Sequence, residues 1–101
     1  MKYNKLVRDK IPQIIKKSGS IPITHVAKQK EYRQKLIEKL QEEIDEFKKD
    51  QNIEEIADIL EVIYAICTTK KITKRKLEAI RIKKILQRGG FKKKIILEET
   101  K

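Results

Sequence analysis

Between Lys28 and Thr69 the chain carries neither glycine nor proline, and within that stretch apolar side chains return at the spacing of a helix. Tyr32, Leu36, Leu40, Ile44 and Phe47 mark one helix from about Lys28 to Asp50. Asp50-Gln51-Asn52 supplies a turn, and a second pattern runs from Ile53 to Thr69. Two helices joined by so short a turn must run antiparallel. A helical hairpin is therefore the element around which the rest has to arrange itself.

The flanking segments are punctuated by Pro12, Gly19, Pro22, Gly89 and Gly90. A first helix is expected over Asp9 to Lys17, with Asp9 as N-cap, Pro12 in the first turn, and Ile11, Ile14 and Ile15 as the buried stripe. Residues 21–26 alternate and read as extended. A fourth helix is expected from Thr73, its N-cap, to Gln87, with Leu77, Ile80 and Ile85 facing inward and Gly89-Gly90 ending it. Residues 91–97 again read as extended. After Glu61 the third helix is apolar on nearly every side, which predicts burial on every side. A chain of 101 residues achieves that with difficulty alone. The expected fold is one all-α domain over residues 1–101, a four-helix-type bundle completed by dimerisation or a higher homo-oligomer.

Charged residues make up 41% of the chain and apolar ones 39%, enough to fold. The single cysteine, Cys67, lies in an apolar run and reads as a small core residue, so a disulfide framework is excluded. No apolar run approaches the roughly 20 residues that span a bilayer. The opening Met1-Lys2-Tyr3-Asn4-Lys5 passes straight into a structured pattern without an apolar leader, and a cytoplasmic protein is expected. The net charge is +11, but its distribution is uneven. Nine of the 15 acids and only two of the 26 bases fall between Glu42 and Glu61. A basic protein, suited to polyanions, surrounds an acidic island.

Within that island the acids are placed against the pattern. On a wheel centred on Leu36, Glu43 falls at about −20°, inside the apolar arc, with Glu46 at about −80° on its edge and Glu42 at about −120°. A carboxylate in a core-facing stripe is costly unless it is paired or holds a metal. Glu43 and Glu46 are spaced i, i+3, as are Glu55 and Asp58, so each pair shares a helix face. Across an antiparallel hairpin the two pairs meet at a similar height. Hard oxygen donors with no His or Cys select Mg²⁺, with Mn²⁺ as a substitute. The bland alternative is a solvated acidic face partnered by Lys39, Lys48 and Lys49.

The motifs Glu42-Glu43-Ile44-Asp45-Glu46 (E-E-x-x-E) and Glu55-Ile56-Ala57-Asp58 (E-x-x-D) resemble the signature of the all-α nucleoside triphosphate pyrophosphohydrolases, the superfamily of MazG-like proteins and dimeric dUTPases. Lys5-Leu6-Val7-Arg8-Asp9-Lys10-Ile11-Pro12 and Arg88-Gly89-Gly90-Phe91 resemble its phosphoribosyl-ATP pyrophosphohydrolase-like branch. The resemblance implies a hydrolase of phosphoric anhydrides that cleaves between the α and β phosphates of a nucleotide, releasing a monophosphate and pyrophosphate. It implies Glu43, Glu46, Glu55 and Asp58 as Mg²⁺ ligands, with Glu42 supporting them or orienting the attacking water. Arg8, Lys10, Lys84 and Arg88 are the candidate phosphate contacts. The link between Glu46 and Glu55 is shorter than in the larger dUTPase-type members, which argues against the extra helices that shape their base pockets. The substrate stays open between phosphoribosyl-ATP and non-standard nucleotides removed in house-cleaning. His25, the only histidine, reads as a loop hydrogen-bonding residue.

Two other classes compete. A basic helical module binding nucleic acid is favoured by the charge, but opposed by the few aromatics and by the acidic island. An inactive interaction protein of toxin–antitoxin type is opposed by the intact acidic motifs.

Overall fold

A computed structural model of the chain describes residues 2–101, leaving Met1 outside. It is all-helical: α1 (Ile11–Lys17), α2 (Gln29–Asp50), α3 (Ile53–Thr69) and α4 (Lys74–Arg88) follow in order, with no strand among the described residues.

The α2–α3 hairpin is built by its two-residue link. Gln51 adopts the left-handed conformation (φ 52°) and its N–H returns to the Phe47 carbonyl at 2.7 Å, closing α2. Asn52 is extended, and its Oδ1 accepts the Glu55 N–H at 3.1 Å, capping α3. This cap fixes Glu55 on the first turn of α3, beside the end of α2. Thr73 caps α4 in the same way through Lys76 N–H, at 3.0 Å. Gly89 ends α4 at φ 82°, a conformation that a side chain would resist.

The expected Asp9 cap is not formed. Helix α1 begins at Ile11, with Lys10 at the N-cap in helical conformation and no side-chain cap. A cap residue must be extended to reach back, and Lys10 is not. The Arg8 carbonyl takes the Ile11 N–H at 3.0 Å instead, and Pro12 has no donor to satisfy. The two segments read as extended form no strand. Ile21, Ile23 and Val26 are almost wholly exposed, and Phe91–Lys94 forms a turn with Lys94 N–H on the Phe91 carbonyl at 3.2 Å. Neither segment has a neighbouring strand, and alternation alone cannot supply the backbone partners.

Packing is concentrated in one place. Helix α2 lies along α3, and no other pair of helices packs comparably. The core of the described chain is Leu36, Val62 and Cys67 at 2%, 8% and 8% exposure, joined by Glu43 at 9%. Helices α1 and α4 bury no residue, and Ile80 and Ile85 of the expected α4 stripe remain 43% exposed. The radius of gyration is 17.8 Å, against about 13 Å for a compact chain of this length. One chain thus provides a closed hairpin with two unpacked helices, rather than a closed four-helix bundle. Ile63, Tyr64, Ala65 and Ile66, expected to be buried on all sides, are half-exposed.

Candidate metal centre

The hairpin brings the two acidic pairs together next to its connecting turn, between the end of α2 and the start of α3. Carboxylate oxygens of Glu43, Glu55 and Asp58 lie within 4.8 Å of one another, and so do those of Glu46, Asp50 and Glu55. Glu55 belongs to both groups and joins them. The four acids expected as ligands are thus divided between two groups that share Glu55, with Asp50, expected in the turn, as a fifth member. Two oxygens on one Mg²⁺ stand at most about 4.2 Å apart, so small side-chain rotations would close either triad on an ion. The donor set is carboxylate only, which fits Mg²⁺ or Mn²⁺.

Electrostatics marks Glu55 as the strained member. Partial loss of water, followed by repulsion from Asp58, Asp50, Glu46 and Glu43, raises its carboxyl above its ordinary value of 4.5. Asn52 and the α3 N-terminus hold Glu55 where the other four charges meet it. No basic side chain pairs with Glu46, Asp50 or Glu55 among the described residues.

The other two members of the first triad are already neutralised by the chain itself. Lys39, only 16% exposed at its side chain, reaches Glu43 Oε1 at 3.4 Å and Glu42 Oε2 at 3.2 Å. Arg8 Nη2 donates to Asp58 Oδ1 at 2.7 Å. Lys5 Nζ donates to Glu42 Oε1, also at 2.7 Å, so Lys5, Glu42, Lys39 and Glu43 form a continuous chain of ion pairs. Burial alone would raise the Glu42 carboxyl; the hydrogen bonds from Lys5 and Lys39 outweigh it and hold the group below 4.5. Glu42 is thus outside both triads, bound to cations and one step behind Glu43. The N-terminal segment lies over the site as a strap, secured further by Lys35 Nζ on the Asn4 carbonyl at 2.7 Å.

The remaining expectations fall elsewhere. Lys10 is exposed at the start of α1. Lys84 and Arg88 are exposed on α4 and make no ion pair among the described residues, so one chain does not bring them to the acids. His25 Nε2 pairs with Glu31 at 2.9 Å, the loop role read for it, in a shallow cleft with Val26, Lys28 and Gln34. Three participants lie outside the expected site residues. Lys5 belongs to the opening motif but carries no expected role, and Lys39 is expected only on a solvated face. Asp50 falls at about −40° on the α2 wheel, between Glu43 and Glu46. It also puts a negative charge on the last residue of α2, where the helix dipole disfavours one. Comparison with protein-family models, with curated proteins and with solved structures finds no match for the chain.

Proposed function

We propose that the chain is a Mg²⁺-dependent nucleotide pyrophosphohydrolase that splits the α–β phosphoric anhydride of a nucleoside triphosphate or a phosphoribosyl-ATP-like substrate. The observation that carries this reading is the convergence of five carboxylates from both arms of one hairpin, with Glu43 as buried as the apolar core. A nearly buried carboxylate, and a neighbour raised by loss of water and then by repulsion from four acids, are both eased by a nearby cation. A divalent ion held there would offset charge on the substrate's phosphates and lower the proton affinity of a water. Glu43, Glu46, Glu55 and Asp58 are the proposed ligands, with Asp50 added on the strength of the geometry. Glu42, fixed by Lys5 and Lys39, keeps Lys39 on Glu43 and so orients a ligand. The bases around the acids, Arg8 first, face the polyanion.

A second copy belongs to the same proposal, in keeping with the MazG-like resemblance. The chain exposes 9919 Å², whereas a folded monomer of 12.0 kDa exposes about 6,000 Å². The surplus, about 3,900 Å², exceeds one side of a typical obligate interface. Residues 21–26 and 91–97 hold part of its apolar surface, and Ile56 and Leu60 of α3 and Ile80, Ile82 and Ile85 of α4 supply a helical share. Burying them between copies would complete the bundle and draw α4, with Lys84 and Arg88, into the assembly. Sedimentation should give a dimer or larger; a stable monomer at micromolar concentration would refute this part.

The deciding assay is release of pyrophosphate from a panel of nucleoside triphosphates and phosphoribosyl-ATP, with Mg²⁺ and with EDTA. Release from at least one substrate, abolished by EDTA, is expected. A second reading draws on α4, exposed at every residue but Leu77 and carrying seven bases against one acid, Glu78, which pairs with Arg81. On that reading the chain binds nucleic acid, with steep salt dependence and no response to Mg²⁺.

A further inference from the structure

We propose that Arg8 is the displaceable counter-cation of the Glu43, Glu55 and Asp58 triad. In the metal-free chain its guanidinium neutralises Asp58; an arriving divalent cation takes over that charge, and the freed guanidinium turns to the anion that accompanies the metal. The inference rests on the divalent-cation reading above and adds the exchange to it.

Two cations serve the triad in the metal-free chain, and they differ in freedom. Lys39 is 16% exposed, bonds two acids, and shares α2 with both of them. Arg8 has a single partner across the fold, a side chain 57% exposed, and one hydrogen bond to Asp58 from a group that carries five N–H donors. Its backbone is held without that bond. Lys35 holds the Asn4 carbonyl, Lys5 holds Glu42, Leu6 and Val7 are half-buried, and the Arg8 carbonyl accepts the Ile11 N–H. The side chain can therefore leave Asp58 while the strap stays in place.

Charge favours the exchange. An ion held by Asp58 and a guanidinium 2.7 Å from the same carboxylate would stand well inside the screening distance of about 8 Å. They would repel, and the singly charged, flexible and more exposed partner is the one that yields. Once free, a planar guanidinium at the rim of the site has donors suited to two oxygens of a phosphate.

The test uses Mn²⁺ alone as probe, its binding followed by the electron paramagnetic resonance of the free ion, in the wild type, Arg8→Gln and Arg8→Lys. Arg8→Gln should bind Mn²⁺ roughly three- to fivefold tighter, the weight of an exposed ion pair, and Arg8→Lys should fall back towards the wild type. In the wild-type chain, the Arg8 Nε–H resonance should shift on addition of Mg²⁺ and shift again when inorganic pyrophosphate follows. Equal or weaker Mn²⁺ binding by folded Arg8→Gln, or an Arg8 resonance indifferent to Mg²⁺, would overturn the exchange and leave the metal site standing. The resonance decides the matter even if the glutamine variant does not fold. A wild-type chain that binds no Mn²⁺ at millimolar concentration removes the metal site, and this inference with it.

Discussion

Replacing Lys39 by methionine isolates the charge that the chain supplies to its own metal site. Methionine keeps most of the apolar stem and removes only the ammonium. Glu43 stays in the core at 9% exposure without the partner it had at 3.4 Å. At an effective dielectric of 20, the lost attraction is about 5 kcal/mol gross. The ammonium no longer has to leave water either, and Glu42 keeps Lys5. The net loss of stability should therefore be about 2 kcal/mol, between that of an exposed pair and that of a fully buried one. Urea unfolding followed by far-UV circular dichroism measures it, the chain having no tryptophan. Protein concentration must be held fixed, since association would add to stability. Repeated in Mg²⁺, the experiment should show the variant recovering most of the loss, because the ion takes over the role of the ammonium beside Glu43. A loss below about 0.5 kcal/mol would show that Glu43 needs no partner. A full loss that Mg²⁺ does not relieve would show that the acids hold no ion.

Other outcomes follow from the same geometry. Glu43→Gln should leave the helical content intact and reduce pyrophosphate release by roughly 100-fold or more, since even groups that merely support metal ligands cost 10- to 100-fold; full activity in that variant would sink the hydrolase reading. The raised Glu55 carboxyl contributes stability that is complete below 4.5 and lost as pH rises through its elevated value, whereas the lowered Glu42 carboxyl contributes stability present above 4.5 and lost as pH falls through its depressed value. Mg²⁺ should therefore raise the melting temperature more at pH 7, where Glu55 is ionised, than at pH 4.5; a Mg²⁺ increment that is the same at both values would contradict the assignment of Glu55 to the site. Asn52→Ala should cost about 1 kcal/mol through loss of the α3 cap, read in urea unfolding, with Asn52→Asp close to the wild type.

The division between what was legible in the sequence and what was not follows the range of the forces involved. The bounds of α3 and the Thr73 cap of α4 are set by periodicity and caps within a few residues, and the meeting of Glu43 and Glu46 with Glu55 and Asp58 follows from one short turn between them. The Asp9 cap failed for a local reason of equal range: the backbone at Lys10 had already turned helical, so no side chain there could reach back. Arg8 on Asp58 and Lys5 on Glu42 join positions 50 and 37 residues apart, and although both bases lie in the opening motif, no pattern in the sequence pairs them with those acids. Closure of the bundle was not legible from one chain for a related reason. Apolar periodicity shows that Ile80 and Ile85 have a face to bury, but does not say which surface meets it. Asp50 is the instructive case, because its signal was local and was passed over. It shares the arc of Glu43 and Glu46 and stands where the α2 dipole opposes its charge. Read as a turn residue, it needed no further explanation; read as an acid in the wrong place, it belongs with Glu43. Each is an acid set against the local preference of its position, and the hairpin brings both to Glu55.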